Sequence, residues 1–343
     1  MTKPIMKAAI TDFLPTAGTT IPASFAIADL GCSCGPNTLF VVSDIISIII
    51  DLCNATKHEL PEFQVFLNDL PENDFNTLFS SFLPTFQAKL SEQMKSKYGA
   101  LATLSCFFNG VPGSYYGRLF AQESLHFVHS SYCLMWRSQV PQGLEGNKGN
   151  IYIARSSPAS VIRAFYEQFQ RDFSTFLDCR GQELVVGGRM VLTILGRRSD
   201  DPSSDECCHH VNLLATVLNE MVSEGLIEEE KMDSFNIPYY TPSPKEVRWE
   251  VQKQGSFSVD SLEVSKVDWS VFDTSFDPNV VLKDREYGMT MCMRATAEPL
   301  LVGHFGGEVI DEVFKRYRAH LADHMSKQKT LFINVIVSLK KIT

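Results

Sequence analysis

Asp29, Gly31 and Gly35 close an apolar run, FAIADLGCSCGPNTL (25–39), and Asp69 closes a second one, FLNDLP (66–71). These residue types at these places are the ones that ligand chemistry uses. A glycine turn between a buried strand and a helix lets backbone approach a ligand closely, and in open parallel α/β sheets ligands sit beyond the carboxyl ends of the strands. The spacing Gly31-x-x-x-Gly35 differs from the G-x-G-x-x-G of dinucleotide sites, which disfavours NAD, and Pro36 suits the first turn of a following helix. A carboxylate at Asp69 can accept from ribose hydroxyls. One at Asp29 can meet a cationic group such as the amino group of a methionine-like tail. Together they point to S-adenosylmethionine; a plain tight corner between strand and helix is the other reading of the same glycines.

Such a corner needs a sheet behind it. Apolar, β-rich runs at 25–30, 63–68, 103–108, 151–154 and 189–195 alternate with helical spacing at 36–53, 73–81, 122–136 and 158–180. That alternation predicts an α/β fold of parallel strands joined by crossover helices. A polar loop, RRSDDPSSDE, introduces a helix at 208–224. A run at 256–264, helices at 287–303 and 307–326, and a strand at 331–339 follow. No internal repeat or long linker divides the chain.

Bulk composition narrows the partners. With 343 residues, 44% hydrophobic and 21% charged, the chain can bury a large core. Its net charge of −9 repels a phosphate backbone, so nucleic acid is excluded as a partner. Nine cysteines without regular spacing, after an N-terminus lacking a charged-then-apolar leader, predict a reducing cytoplasmic setting. The most apolar run, LFVVSDIISIII (39–50), is interrupted by Ser43, Asp44 and Ser47 and reads as a buried helix, with no membrane partner.

Eight stretches in order, IADLGCSCGPNTL, FLNDLPENDFNTLF, FNGVPGSYYGRLF, LHFVHSSYCLMWRSQVP, NKGNIY, GGRMVLTILGRRS, FNIPYYTPS and RATAEPLLVGHFG, resemble successive motifs of the plant salicylate, benzoate and theobromine methyltransferases, the SABATH family. The resemblance spans essentially the whole chain and is nearest to the salicylate and benzoate carboxyl methyltransferases. It implies a Rossmann-like class I S-adenosylmethionine-dependent methyltransferase sheet in a single domain, 1–343, with core sheet mainly in 20–200 and 256–343. A helical cap, mainly 206–255 and 270–305, would cover the acceptor pocket. The implied reaction is methyl transfer to a small aromatic carboxylic acid, giving its methyl ester. A jasmonate-type acid, N-methylation of a xanthine or pyridine substrate, and an inactive shortened paralogue stand as alternatives.

By the same resemblance, Cys32, Asn37, Asp69, Leu70, Ser114 and Tyr115 line the cofactor site, beside Asp29 and Gly31. Tyr115 stands where relatives usually have Phe; its ring is expected against adenine and its hydroxyl needs a polar partner. The acceptor is expected at HSSYCLMW, read as a helix, where Tyr132, Met135 and Trp136 share a face at i, i+3 and i+4. That stripe alone would equally suit core packing. The resemblance makes Tyr132 and Trp136 pocket residues, with the Trp136 indole N–H donating to the carboxylate. Met135 and Met293 would hold the ring between two thioethers, and Tyr240, Thr296 and Phe332 would complete the walls. His210 and Val211 replace larger apolar or aromatic residues of salicylate-type relatives, which enlarges the pocket and adds a donor.

A sulfonium is an activated methyl donor and a carboxylate, with an ordinary pKa near 4, is already ionised at pH 7. No catalytic acid or base is therefore expected, and His129 is read as a structural hydrogen-bonding residue. In ECCHH (206–210) the adjacent cysteines and histidines lack the spacing that lets ligands converge on zinc. The resemblance implies a magnesium set of Asn147, Asp233, Phe235 and Asn236, all oxygen donors, with an ordinary turn as the other reading. It also implies a homodimer. Relatives precede the helix matched by MTKPIMKAAI with a few dozen residues carrying a Ser-Tyr cofactor cap and a carboxylate-binding Gln; a chain of 1–343 alone is expected to hold the cofactor weakly.

Overall fold

The computed structural model describes residues 2–14, 21–98, 104–268, 285–329 and 331–343. In chain order these form α1 (Lys3–Phe13), β1 (Ser24–Leu30), α2 (Asn37–Thr56), β2 (Glu62–Asp69) and α3 (Phe75–Thr77), which runs through a π-turn into α4 (Leu83–Tyr98). Then come β3 (Cys106–Pro112), β4 (Leu125–Ser131), α5 (Ala159–Glu183), β5 (Leu184–Leu195), α6 (Asp205–Ser223), α7 (Glu229–Ser234), α8 (Pro244–Gln254) and β6 (Phe257–Asp268). The last elements are α9 (Arg285–Phe305), α10 (Ile310–Lys327) and β7 (Leu331–Lys341).

The strands make one sheet in the order β3-β2-β1-β4-β5-β7-β6. The first five are mutually parallel, and β7 runs antiparallel to both β5 and β6. Chain order reverses between β1 and β4, and in open α/β sheets the crevice outside such a switch point is where ligands bind. Helices cover both faces. One core is built on α1, α2 and α4, with Ile45, Ile46, Ile49, Phe63 and Val65; the other is built on α5, α6, α9 and α10, with Phe165, Phe173, Leu218 and Tyr317.

Helix α2 is the single described element long and apolar enough to cross a bilayer. At 20 residues it exceeds the run read from the sequence. Its Val42, Ile45, Ile46, Ile49 and Ile50 are wholly buried, as suits a crossover helix packed on a sheet. Residues 270–284 of the expected cap lie outside the described residues.

Two elements differ from the sequence reading. The predicted helix at 122–136 is instead strand β4 followed by an irregular segment. A central parallel strand is buried on both faces, so it shows no alternation, and the spacing of Leu125, Val128 and Tyr132 imitates a helix. The predicted strand at 151–154 is a buried irregular segment. Ile151, Tyr152 and Ile153 are core residues, but their carbonyls find single partners, Ile237 N–H at 2.9 Å on Ile151 and Asn147 Nδ2 at 3.2 Å on Tyr152, in place of a ladder.

Candidate active site

The corner after β1 is built by backbone geometry and by two acids. Gly31 has φ +80°, and a Cβ there would fall 2.1 Å from the Cys133 sulfur, so only glycine fits. The Gly31 and Cys32 N–H groups both donate to the Asn68 carbonyl at 2.9 Å. Asn68, wholly buried, donates on to Val111 O and Gly113 O at 2.8 Å, which ties the ends of β1, β2 and β3 together. Asp69 accepts from Ser33 N–H at 2.7 Å and from Leu70 N–H at 2.8 Å. Beside it Leu70 is 51% exposed, a large apolar side chain offered at the rim.

Asp29 departs from its expected role. It is buried, and its two oxygens hold the Thr38 hydroxyl at 2.5 Å and His129 Nδ1 at 2.7 Å. It braces the start of α2 against β4, and is not poised for a ligand amine. His129 is buried in that bond, in the structural position expected of it.

Tyr115 has the polar partner expected for it. Its hydroxyl donates to Cys133 O at 3.0 Å and its ring meets Tyr116 and Phe176 edge-on, so the polar partner is supplied by the protein. The loop that carries Ser114 and Tyr115 is held from below by a wholly buried ion pair, Arg180 with Glu183. Arg180 donates to Tyr115 O and Gly117 O at 2.9 Å, and Glu183 accepts Leu119 N–H at 2.7 Å. Ser114 itself is exposed, its hydroxyl accepting from Tyr116 N–H at 3.2 Å.

The loops fit S-adenosylmethionine. Helix α2 starts with no side-chain cap and no acid in its first turn, so the dipole at its N-terminus favours a carboxylate such as an amino-acid tail carries. A Cβ at Gly35 would meet nothing within 4 Å, which marks open space beside the turn. Asn37 is exposed in that first turn, and Cys32 is buried just behind the loop with its thiol on Ser33 O.

A cavity of about 250 Å³ opens at the same rim. Tyr132 and Leu195 reach it from the ends of β4 and β5, and Phe332 from the start of antiparallel β7. Helix α6 adds His210, Val211 and Leu214; α9 adds Met289, Cys292, Met293, Thr296 and Ala297; Met135, Trp136, Ile237 and Tyr239 close the sides. A larger hollow, about 480 Å³, lies on α4 around Lys89, Gln93 and Tyr98 and shares no lining residue with this cavity.

Of the acceptor residues expected from the sequence, Tyr132, Met135, Trp136, His210, Val211, Met293, Thr296 and Phe332 line this one cavity, and Tyr240 does not. Neighbouring side chains of an extended segment point to opposite sides, so one tyrosine of the pair must turn away. Tyr240 is the one. Its ring stacks on Phe169 at 5.1 Å, its hydroxyl donates to Glu246 at 2.9 Å, and Arg197 lies over its face. Tyr239 takes the wall. Nothing in the dipeptide's composition distinguishes the two; the signal was the Glu246 three residues past Ser243, the capping box that fixes the segment's register.

The segment 132–137 joins cavity and cofactor loops. Tyr116 donates to Trp136 O at 2.6 Å from the loop side, while Arg137 N–H donates to Pro238 O at 2.7 Å and Tyr240 N–H to Met135 O at 2.8 Å from the other. Tyr132 carries φ +57°, accepts from Asn334 Nδ2 at 2.7 Å and is 39% exposed as a residue. Trp136 lines the cavity, its ring edge to face with that of Tyr239 at 5.1 Å.

Asn147, Asp233, Phe235 and Asn236 are brought together, but they do not fit a hard cation. Asn147 donates to Asn236 Oδ1 at 2.7 Å and accepts from Ser157 at 2.6 Å; Asp233 accepts Gly149 N–H at 3.0 Å and pairs with Lys148 at 3.1 Å. A lysine on the only carboxylate opposes a second positive charge, and the amides satisfy one another. Asn147, Asp233 and Asn236 pin the turn at 147–150 while the Phe235 ring packs on His304 and Phe305, and no step is assigned to a metal.

His210 is buried, and burial first, then the charge of neighbouring His209, pushes its imidazole down to about 4. The folded state therefore keeps it neutral while the unfolded chain takes a proton below its ordinary value, about 6.5. The stability this supplies is whole above about pH 6.5 and is lost as pH falls from there toward 4, by roughly 3 kcal/mol in all. Chemical-denaturation midpoints measured from pH 7 to 4.5 are expected to fall less steeply in His210→Leu than in the parent; identical acid slopes would count against it.

A seven-stranded sheet with this order, a glycine corner at the switch point and an apolar cavity over the strand ends defines a Rossmann-like S-adenosylmethionine-dependent methyltransferase. The family described as SAM-dependent carboxyl methyltransferase matches residues 1–342, and the chain belongs to that family. It is 54% identical over 340 residues to salicylate carboxymethyltransferase of Clarkia breweri, covering 99% of this chain and 90% of that protein. Identity is again 54%, over 342 residues, to S-adenosyl-L-methionine:benzoic acid/salicylic acid carboxyl methyltransferase 3 of Petunia hybrida, covering 100% of this chain and 91% of the other. Among solved structures, loganic acid methyltransferase with SAH superposes with a TM-score of 0.81 at 31% identity, covering 100% of this chain and 92% of that one.

Proposed function

We propose that this methyltransferase esterifies a small aromatic carboxylic acid of the salicylate or benzoate kind. The observation that carries the reading is the segment 132–136, which faces the apolar cavity with Tyr132, Met135 and Trp136 while its backbone is bonded to the loop bearing Ser114 and Tyr115. Asp69, Leu70, Asn37, Cys32, Ser114 and Tyr115 would hold S-adenosylmethionine, which supplies a methyl group already activated on sulfur. The residues of the chain then have three tasks. Trp136 binds and aims the carboxylate through its indole N–H; Met135 and Met293 hold the ring; Val211, Leu214 and Ile237 exclude water that would otherwise solvate the anion. No base is required, since the acceptor is ionised at neutral pH. Positioning of this kind is worth roughly 7 to 11 kcal/mol.

Incubation with S-adenosylmethionine and salicylate, benzoate, anthranilate, jasmonate, nicotinate or theobromine should yield a volatile methyl ester from an aromatic acid. An N-methylated product would overturn the assignment, and a folded protein that methylates nothing would favour a binding role. Met135→Ala is expected to reorder the aromatic acids by roughly 2- to 10-fold in kcat/KM, the worth of one sulfur–ring contact. An unchanged ranking would remove the thioether clamp.

Every cysteine whose side chain is described is a free thiol, in keeping with a cytoplasmic enzyme. The same reading takes the homodimer implied by the family; light scattering at the 38.5 kDa of one chain would contradict it.

A further inference from the structure

Tyr132 stands where the cofactor corner meets the acceptor cavity: it lines the cavity, and the thiol of the next residue, Cys133, donates to Gly31 O at 3.3 Å. Two strands hold it. Its N–H donates to Thr193 O of β5 at 2.9 Å, and its hydroxyl oxygen accepts from Asn334 Nδ2 of β7 at 2.7 Å, so the side chain crosses the end of β5. The backbone there is left-handed, φ +57°, a conformation that a bulky residue keeps only where its surroundings fix it.

Asn334 pairs with Leu195 in the β5–β7 ladder and is buried, and its Oδ1 has no hydrogen-bond partner among the described residues. A buried amide with one end unbonded costs stability that an apolar side chain of similar shape would not, so packing does not account for it. What the amide does is orient a hydroxyl. A phenol that accepts from an N–H has its one hydrogen left to give, and turns it away from that N–H, for Tyr132 toward the side on which it lines the cavity.

The cavity is where such a donor is needed. Its described lining holds no lysine, arginine, aspartate or glutamate. Of the other hydroxyls, that of Thr296 donates to Cys292 O and Met293 O of its own helix at 3.1 Å, and that of Tyr239 lies against His210 Nε2 at 3.5 Å. A carboxylate offers about four lone-pair positions and is costly to bury without donors, and the Trp136 indole supplies a single N–H.

Resting on the carboxyl reading above, we propose that Asn334 is a positioning residue for the acceptor: by donating to the Tyr132 oxygen it turns the Tyr132 O–H onto the carboxylate, as a second donor beside Trp136. The carboxylate loses its charge as the ester forms. A donor of this kind therefore serves the bound acid at least as well as the transition state, and its loss falls on KM and spares kcat.

The test is steady-state kinetics with benzoate in the parent, Tyr132→Phe, Asn334→Leu, the double variant and Asn334→Asp. KM should rise about tenfold or more in Tyr132→Phe and about three- to tenfold in Asn334→Leu, with kcat within about threefold of the parent in both. The double variant should match Tyr132→Phe within about twofold, because Asn334 acts through that hydroxyl, whereas independent packing roles would multiply. Asn334→Asp keeps the shape of the side chain and guards against loss of the fold; its oxygens draw the Tyr132 hydrogen back, so KM should rise as in Tyr132→Phe. A KM unmoved in both Asn334 variants, a loss confined to kcat, or effects that multiply in the double variant overturns the proposal alone. A parent enzyme that esterifies no acid overturns the carboxyl reading and the proposal with it.

Discussion

Asp69→Ala is expected to weaken binding of S-adenosylhomocysteine by at least roughly 100-fold. The carboxylate accepts from Ser33 N–H and Leu70 N–H, so it fixes the corner after β1 and the end of β2 while its outer lone pairs remain for ribose hydroxyls. Hydrogen bonds to a charged group contribute about 1.5 to 3 kcal/mol each, and the substitution removes both the ligand contacts and the brace under them. Calorimetric titration reads the result directly. Asp69→Asn keeps an acceptor for Ser33 and should fall between the two. An alanine variant that binds within threefold of the parent would remove Asp69 from the site.

The second large effect is expected from Arg180→Ala. Arg180 and Glu183 are both wholly buried, and the pair holds the loop 115–120 through four backbone contacts. Removing Arg180 leaves the buried Glu183 with only Arg118, at 3.6 Å, and breaking a buried pair in this way costs roughly 3 to 5 kcal/mol. Denaturant midpoints should drop accordingly, and S-adenosylhomocysteine affinity should drop with them because Ser114 and Tyr115 lose their support. The double variant Arg180→Met, Glu183→Gln removes the charge while leaving an acceptor for Leu119 N–H, and should recover most of the loss. A single variant within 1 kcal/mol of the parent would show that the pair does not hold the loop.

The corner at Gly31 was legible in the sequence because glycine spacing and strand-end acids report local backbone needs. Helices α2, α5 and α10 were legible for a similar reason, since each buries a stripe whose period shows within its own residues. Strand β4 was not. With both faces buried, its pattern carries no period of 2, and only its neighbours β1 and β5 make it a strand. The reading of Tyr132, Met135 and Trp136 as one helical face was thus wrong in its geometry, though all three do line one cavity.

Asp29 and Asp69 looked alike in sequence, each closing an apolar run. What separates them is tertiary: Thr38 and His129 reach Asp29, nine and a hundred residues away, whereas Asp69 is held by backbone N–H groups at the rim. Tyr239 and Tyr240 are the same case, resolved by Glu246 and Phe169. The role of Cys133, whose sulfur fills the space a side chain at Gly31 would need, had no sequence signal, because it depends on two loops meeting across the switch point.

The central claim is that the loops at the ends of β1, β2 and β3 present a methyl donor to an acid seated in the cavity of Trp136, Met135 and Met293. The most direct measurement is a crystal structure with S-adenosylhomocysteine and benzoate bound together. It should place a carboxylate oxygen beside the Trp136 indole N–H and pointing at the sulfur across the width of one methyl group, with the ring between the two thioethers. A nucleoside bound away from Asp69, or a benzoate whose carboxylate points away from the sulfur, would contradict the account.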